Sequence, residues 1–334
     1  MTATQSLRTN APAYSQSPFS SSVRGRFSGH ETFPFRYQWL YKAVRAVRED
    51  PEIFQAEDAL VRLGVGKNMV KSIRHWGEVF GVLSAEPDPR GGRMPLLKVT
   101  DLGTKLFDDE GWDPYLEDPG TLWLLHWELC SRPAEATTWY WVFSHLPQPE
   151  FTKPELLTWL MTLVEEHGWS RTSDTSLSRD IDCFLGTYVP ARVGRTVSIE
   201  DTLDCPLVEL GLIRELAARG TYMLDRGERQ TLPDLIFAYA LAAYVEALPE
   251  LAGTLAIDKI AFGLGGPGRV FALSEDALLQ RLEKLDHATG GAFVYDDTAG
   301  LRQVLVKRKV KPFTLLARHY ERNGIDTNKR GATR

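Results

Sequence analysis

The segment from residue 57 to residue 107 restricts the fold of this chain more than any other stretch. A short helical pattern begins at Glu57 and ends at Gly64, a residue type that adopts the left-handed conformation of helix ends without a steric penalty. A second helical pattern covers about residues 67 to 80, and its apolar side chains recur at steps of three or four residues. These side chains therefore share one face, and they are Met69, Ile73, Trp76 and Phe80.

Basic residues occupy a second face of the same predicted helix. The spacing i, i+4 and i+7 places three cations there, with two polar residues beside them: Lys67, Lys71 and Arg74, flanked by Asn68 and His75. No acidic residue occurs between positions 62 and 74. Such a local concentration of positive charge is typical of a surface that contacts phosphate groups.

A hairpin pattern follows the basic helix. Extended stretches at about 82–85 and 96–99 flank a tip rich in proline and glycine, which carries Arg90 and Arg93. Helix, turn, basic helix and hairpin is the order of a winged helix-turn-helix, in which the second helix enters the major groove of DNA. The alternative is an architectural or protein-binding winged unit, whose basic stripe is a solvated face.

The rest of the sequence predicts an α+β protein that is mainly helical and carries further small hairpins. We expect a disordered tail, a winged domain, a larger helical domain with winged-helix-like elements and a second disordered tail, at 1–26, 27–110, 120–322 and 323–334. An acidic connector that contains proline separates the two domains. The aromatic run at 139–143 is expected to be buried, because basic residues are almost absent around it.

Net charge and cysteine content narrow the possible functions. The formal charge of −5 excludes a protein that coats nucleic acid through bulk positive charge, so any contact must come from a local basic face. Cys130, Cys183 and Cys205 form no CxxC motif, so neither a disulfide scaffold nor a zinc site is indicated, and a cytoplasmic location is expected. No apolar run approaches the roughly 20 residues of a membrane span, so we expect no membrane association.

Familiar catalytic motifs are missing from the sequence, including the zinc-protease, serine-elbow and kinase sets. The best remaining catalytic candidates are His30 and Glu31, an adjacent pair before an amphipathic helix, with Asp296 and Asp297 behind them. A divalent metal ion, Mg²⁺ or Mn²⁺, is expected if the protein cuts DNA, and its ligands are unknown. The alternative is that His30 and Glu31 hydrogen-bond the loop and cap the helix.

Two more motifs lie towards the C-terminus. The densest basic cluster, which contains Lys307, Arg308 and Lys309, follows a predicted hairpin and is a second candidate for phosphate contact, with a solvated strand end as the alternative. The glycine-rich run at 263–268 matches the sequence pattern of a dinucleotide-binding fingerprint. That fingerprint opens a helix, whereas residues 269–272 are predicted to be extended, so we expect no nucleotide cofactor.

Four segments carry a resemblance to a known family: FSGHETFPFRYQWLYKAV at 27–44, EDALVRLGVGKNMVKSIRHW at 57–76, CPLVELGLI at 205–213 and DDTAGLRQV at 296–304. From about residue 26 to residue 320, the chain resembles an uncharacterised domain family of bacterial defence islands. Operons of that family also encode a cysteine desulfurase, an ATPase and a sulfurtransferase-like ATP pyrophosphatase.

The resemblance implies a component of a DNA phosphorothioation and antiphage defence system. Its implied role is to recognise a short DNA site and nick one strand, so that sulfur can replace a non-bridging phosphate oxygen nearby. DNA and the sulfur-transfer and ATPase proteins of the same system are the implied partners, and a homodimer is a further expectation. A non-catalytic DNA-binding adaptor or a transcriptional regulator is the alternative from a different class.

Overall fold

A computed structural model describes residues 19, 24–92, 94–169, 172–191, 205–248, 253–298 and 300–322. The predicted tails at 1–26 and 323–334 lie outside the described residues, apart from Phe19 and positions 24–26. Arg93, one of the two predicted DNA-contacting residues of the hairpin tip, also lies outside them.

The N-terminal part contains the elements that the sequence predicts, in the predicted order. They are α1 (Trp39–Glu49), α2 (Ala59–Leu63), α3 (Lys67–Val79), β1 (Leu83–Glu86), β2 (Leu96–Val99) and α4 (Asp101–Phe107). Gly64 ends α2 with a φ of 64°, a left-handed conformation that favours glycine. The antiparallel pairing of β1 with β2 forms the hairpin. The assignment of this unit as a winged helix-turn-helix and its binding of DNA both stay predictions.

The larger C-terminal part is helical with two small sheets. Its helices are α5 (Pro119–Cys130), α6 (Thr137–His145), α7 (Lys153–Glu166), α8 (Asp174–Tyr188), α9 (Asp234–Ala247), α10 (Ile257–Phe262), α11 (Pro267–Val270), α12 (Glu275–Glu283), α13 (Leu285–Thr289) and α14 (Pro312–Arg322). Its strands are β3 (Glu150–Thr152), β4 (Ile213–Glu215), β5 (Thr221–Leu224), β6 (Thr254–Ala256), β7 (Phe293–Thr298) and β8 (Leu301–Val306). The antiparallel sheets have the orders β3-β5-β4 and β6-β8-β7. The predicted α+β class is confirmed.

Helices α5 and α9 form the centre of the C-terminal part, because both are apolar on nearly every side and are buried accordingly. Asp118 caps α5 by accepting a hydrogen bond from the Gly120 N–H at 2.7 Å. The predicted burial of the aromatic run at 139–143 is confirmed. No helix in the described part of the chain has the length and apolar character needed to cross a membrane.

The predicted extended conformation at residues 269–272 is wrong, because α11 covers the first half of this stretch. Pro267 occupies the first turn of α11, where its missing N–H is not needed. A Cβ on Gly268 would lie 2.7 Å from the Cα of Ala261, so glycine is required for α10 and α11 to approach each other. The glycines of this run therefore serve helix packing.

Aromatic side chains join the N-terminal and C-terminal parts. Trp76 on α3 meets Trp139 on α6 edge to face, with 5.6 Å between ring centroids, and Trp139 meets Phe184 on α8 at 5.8 Å. Trp76 and Trp139 are almost fully buried. Because the apolar face of α3 packs against α6, the opposite face of α3 is fixed in position relative to the C-terminal part.

His126 is a buried, uncharged residue at the centre of the core. Its Nδ1 lies 2.8 Å from the Tyr188 hydroxyl, and its Nε2 lies 2.7 Å from the carbonyl oxygen of Val270. Burial lowers the pKa of His126 to about 3. In the folded state the neutral ring is therefore favoured down to a pH far below the pKa of an exposed histidine.

We predict that this histidine makes the free energy of unfolding depend on pH. Because the folded pKa is lowered, its contribution is complete above the ordinary pKa of about 6.5 and falls by up to about 1.4 kcal/mol per pH unit as the pH drops below that value. Urea denaturation at several pH values between 7 and 4 gives the free energy of unfolding as a function of pH. The slope of this pH dependence should be shallower by about one proton in His126→Gln. His287→Gln, at an exposed histidine, should keep the wild-type slope. Equal slopes for wild type and His126→Gln would contradict the assignment.

Candidate functional site

Residues 29–33, with the sequence Gly-His-Glu-Thr-Phe, form a tight loop that we call the GHETF loop. Gly29, Glu31 and Thr32 have φ values of 115°, 48° and 67°. Two successive non-glycine residues in the left-handed region cost of order 1–3 kcal/mol each, so surrounding contacts must hold the loop in place.

One of these contacts is a buried hydrogen bond between His30 and Asp180 of α8. The imidazole Nε2 lies 2.7 Å from Asp180 Oδ1, and both side chains are almost inaccessible to solvent. The Thr32 N–H donates to His30 Nδ1 at 3.0 Å, so Nδ1 is the acceptor nitrogen. The proton therefore resides on Nε2, which donates it to Asp180.

The main chain of the loop is bound to α3. The His30 carbonyl oxygen accepts from the Ser72 hydroxyl at 2.8 Å, and the Phe33 carbonyl oxygen accepts from Trp76 Nε1 at 3.0 Å. With the His30–Asp180 bond, these contacts make the GHETF loop a bridge between α3 and α8. The position of each loop side chain is consequently set by two helices from different parts of the sequence.

Two of the predicted site residues are thus placed inside the protein. His30 is buried and both of its ring nitrogens are engaged in hydrogen bonds, and its catalytic role stays a prediction. His75 is 3% exposed, and burial, followed by the charge of Arg26, lowers its pKa. Its ring packs beneath Gly29 and not on the outer face of α3, and a DNA contact by His75 stays a prediction.

Glu31 is the ionisable side chain of the loop that is partly open to solvent. It lines an open cleft of about 510 Å³ together with its neighbours in the loop and residues of α3 and α8, among them Asn68, Ser176 and Arg179. Glu31 is the one carboxylate among the described residues of that lining, and it forms an ion pair with Lys71 at 3.2 Å. The cleft and its edge therefore combine one acid with the cationic side chains of Lys71 and Arg179.

The predicted basic helix face is present but partly paired. Lys67 and Asn68 are exposed at the start of α3, and Lys71 is 55% exposed despite its contact with Glu31. Arg74 is only 25% exposed, and its Nε lies 2.9 Å from Glu78 on the next turn. We define the basic face of α3 as Lys67, Asn68 and Lys71, since these three side chains are open to solvent.

The remaining predicted residues do not join this cleft. Arg90 at the hairpin tip is ion-paired with Glu52 and Asp88, which compensates its charge. Asp296 accepts a hydrogen bond from Gln303, and Asp297 pairs with Arg302, so these two carboxylates stabilise the β7–β8 hairpin. The cluster Lys307–Lys309 is exposed and lines a different cavity.

Sequence reasoning missed two members of the site. Asp180, the partner of His30, lies far along the chain in α8, and no local motif connects the two residues. Arg179 precedes it and has no sequence signal of its own. The pairing of Arg74 with Glu78 did have a signal, because the two residues are separated by four positions in one helix.

No group of three or more histidine, cysteine, aspartate or glutamate side chains in the described ranges is arranged to hold a metal ion. All three cysteines are free thiols and buried. Burial raises the pKa of Cys130 and Cys183, which makes both poor nucleophiles and poor metal ligands.

A family described as "Protein of unknown function (DUF4007)" matches residues 27–320. The chain belongs to this family. The match begins at the GHETF loop region and ends in α14, so it includes every residue of the site described above. Comparison with curated protein sequences finds no significant match.

Two solved structures share the fold of this DUF4007 protein. One is described as a magnesium ion-bound SspB crystal structure, with 34% identity, a TM-score of 0.83 and 90% of each chain covered. The other, described as an SspB crystal structure, has 33% identity, a TM-score of 0.81 and the same coverage. The chain is therefore SspB-like, which supports the sequence-based assignment to a DNA phosphorothioation system.

We predict that Asp180→Ala releases the GHETF loop. The substitution leaves the His30 Nε2–H without an acceptor in a buried place, which should lower the free energy of unfolding by about 1–3 kcal/mol. Hydrogen exchange at the Thr32 amide should also accelerate, because the ring that accepts this N–H loses its anchor. Denaturant unfolding and exchange mass spectrometry measure the two effects.

The matched control is Asp182→Ala, two residues further along the same helix. Asp182 is about half exposed and pairs with the exposed Lys153, so its loss should change stability by less than about 0.5 kcal/mol. If Asp180→Ala and Asp182→Ala behave alike, the buried pair does not hold the loop.

Proposed function

We propose that this protein binds duplex DNA on the basic face of α3 and nicks one strand at the cleft beside the GHETF loop, within a phosphorothioation system. The observation that carries the proposal is the position of Glu31. A strained loop, bound to two helices, holds this carboxylate next to an exposed lysine of the helix that is predicted to enter the major groove.

The basic face is small, which fits site-directed contact better than non-specific coating. Lys67 and Lys71 can contact phosphates, whereas Asn68 carries the amide that pairs with adenine edges in the major groove. Two phosphate contacts provide only modest salt-dependent affinity, and the net charge of −5 opposes broader binding. Base contacts and partner proteins would therefore contribute much of the site selection.

The cleft provides groups for phosphodiester hydrolysis. Arg179 carries a guanidinium that can bind phosphate oxygens in a bidentate manner. Glu31 is placed to orient or deprotonate an attacking water once DNA phosphates draw Lys71 away from it. Each role uses a side chain that the structure places at the surface of the cleft.

A divalent metal ion fits this cleft only as a largely hydrated ion. The side-chain oxygens of its described lining are one carboxylate, the Asn68 amide and the hydroxyls of Ser28, Thr32 and Ser176. Mg²⁺ commonly binds one or two carboxylates, several waters and substrate phosphate. When bound, such an ion would neutralise charge on the phosphate that is cut. One of the two similar structures is of magnesium ion-bound SspB, which is consistent with this part of the proposal.

A second function is favoured by a different observation. Among the described residues, Glu31 is the one carboxylate of the cleft, and no group of three ligands for a metal ion occurs. A non-catalytic adaptor or a transcriptional regulator needs only the basic face and a surface for partner proteins. Nicking activity separates the two functions.

We predict that Glu31→Gln separates binding from nicking. Loss of the carboxylate frees Lys71 from its ion pair and removes the repulsion between Glu31 and the DNA phosphates. Affinity for duplex DNA should therefore rise a few-fold. Relaxation of supercoiled plasmid in Mg²⁺ or Mn²⁺ should fall by at least about 100-fold, the usual contribution of a general base. Gel electrophoresis of the plasmid and fluorescence anisotropy measure the two properties.

Glu166→Gln, at an exposed glutamate of α7, is the matched control and should retain wild-type nicking. Wild-type nicking by Glu31→Gln would eliminate Glu31 from the mechanism. A wild-type protein that binds DNA and never nicks it, with either metal and with partner proteins added, would establish the adaptor.

We further predict that Lys67→Ala/Lys71→Ala weakens duplex binding without unfolding the protein. Each lost phosphate contact should reduce the log–log salt slope by roughly 0.9, so the double variant should lose about 1.8. Arg219→Ala/Lys284→Ala removes two exposed cations elsewhere and should keep the wild-type slope. An unchanged slope in Lys67→Ala/Lys71→Ala would place the DNA on another surface.

A further inference from the structure

A second cavity lies in the C-terminal part, far in sequence from the GHETF loop. It has a volume of about 410 Å³ and lies between the C-terminal half of α9 and the end of the β6-β8-β7 sheet. Apolar side chains form most of its wall: Ala242, Val245, Phe293, Val306 and Val310. A hydrogen bond from the Val306 N–H to the Gly253 carbonyl, 2.9 Å long, closes the sheet side of the cavity.

Three consecutive cations form the rim of this cavity. Lys307, Arg308 and Lys309 are exposed, and all three contribute to the lining. Arg308 Nη2 donates to the carbonyl oxygens of Thr289 and Gly290 at 3.2 and 2.9 Å, so its guanidinium is held in place without an acid. In the described part of the chain no carboxylate forms an ion pair with these three residues, and Glu246 is the one acidic residue of the lining.

An apolar wall below an uncompensated cationic rim suits a ligand that combines an apolar body with negative charge. A nucleotide has this character, because the base is a flat ring with poorly hydrated faces and its phosphates are anionic. We propose that the cavity holds one unstacked base of a DNA single strand, while Lys307, Arg308 and Lys309 contact the adjoining phosphates.

Two features favour a DNA strand over an acidic peptide. The cavity has a volume of only about 410 Å³, so it suits one ring more than an extended segment with several side chains. In addition, the three rim cations are consecutive in the sequence and directly follow the end of β8, as expected for contacts to successive phosphates. The inference rests on the proposed function, because it needs DNA as the ligand. It adds a place for an unpaired strand of that DNA.

The test uses the full-length protein and a fluorescent 12-nucleotide single strand containing 2-aminopurine. Wild-type protein should bind the strand and raise the 2-aminopurine fluorescence, since this base brightens when it leaves the stack. Lys307→Ala/Lys309→Ala removes rim charge, and Val245→Trp or Val310→Trp fills the cavity. Each change should weaken single-strand binding about tenfold, and thermal unfolding confirms that each variant is folded.

Two further ligands are tested, a duplex of the same sequence and dCMP alone. The control variant is Arg219→Ala/Lys284→Ala. Duplex binding should stay at the wild-type level in the tryptophan variants and be weakened in Lys67→Ala/Lys71→Ala, which separates failure of this inference from failure of the proposed function. Single-strand binding that is unaffected by both tryptophan variants would show phosphate contact without base insertion and overturn the proposal. Equal affinity for dCMP and the strand would overturn it in favour of a free-nucleotide site. Binding of a labelled acidic peptide, without any binding of the strand, would overturn it in favour of a peptide site.

Discussion

The hydrogen bond between the buried imidazole of His30 and the buried carboxylate of Asp180 joins two residues that are 150 positions apart. It fixes the GHETF loop against α8, while Ser72 and Trp76 fix the same loop against α3. A loop with left-handed Glu31 and Thr32 would relax if either side were released. The placement of Glu31 beside Lys71 therefore depends on contacts made by the residue before it.

The contacts that hold the GHETF loop include buried polar atoms whose burial costs free energy. Asp180 Oδ2 and His75 Nδ1 are buried and have no hydrogen-bond partner among the residues that the structure describes. Burying polar atoms in this way opposes stability, because desolvation is not fully offset. The arrangement is understandable if the position of Glu31 and the close approach of Gly29 to His75 have functional value. Stability alone would favour an apolar contact between the loop and α8.

Periodicity predicted the local structure of the first part of the chain well, because each element there carries its own signal. Gly64 marks a helix end, and the spacing of Ile73 and Trp76 marks a buried face. Side-chain exposure near the site was harder to predict. His75 has a spacing compatible with the outer face, yet the GHETF loop covers it, and sequence periodicity contains no information about a loop that folds back from upstream. The role of His30 depends on Asp180, which only tertiary packing brings near.

The central claim is that DNA lies on the basic face of α3, next to the GHETF loop, and not elsewhere on an acidic molecule. Lysine acetylation followed by mass spectrometry, with and without duplex DNA, tests this claim most directly. DNA is predicted to protect Lys67 and Lys71 from acetylation and to leave Lys153 and Lys284 equally reactive. Unchanged reactivity at Lys67 and Lys71, with protection of Lys153 or Lys284, would contradict it.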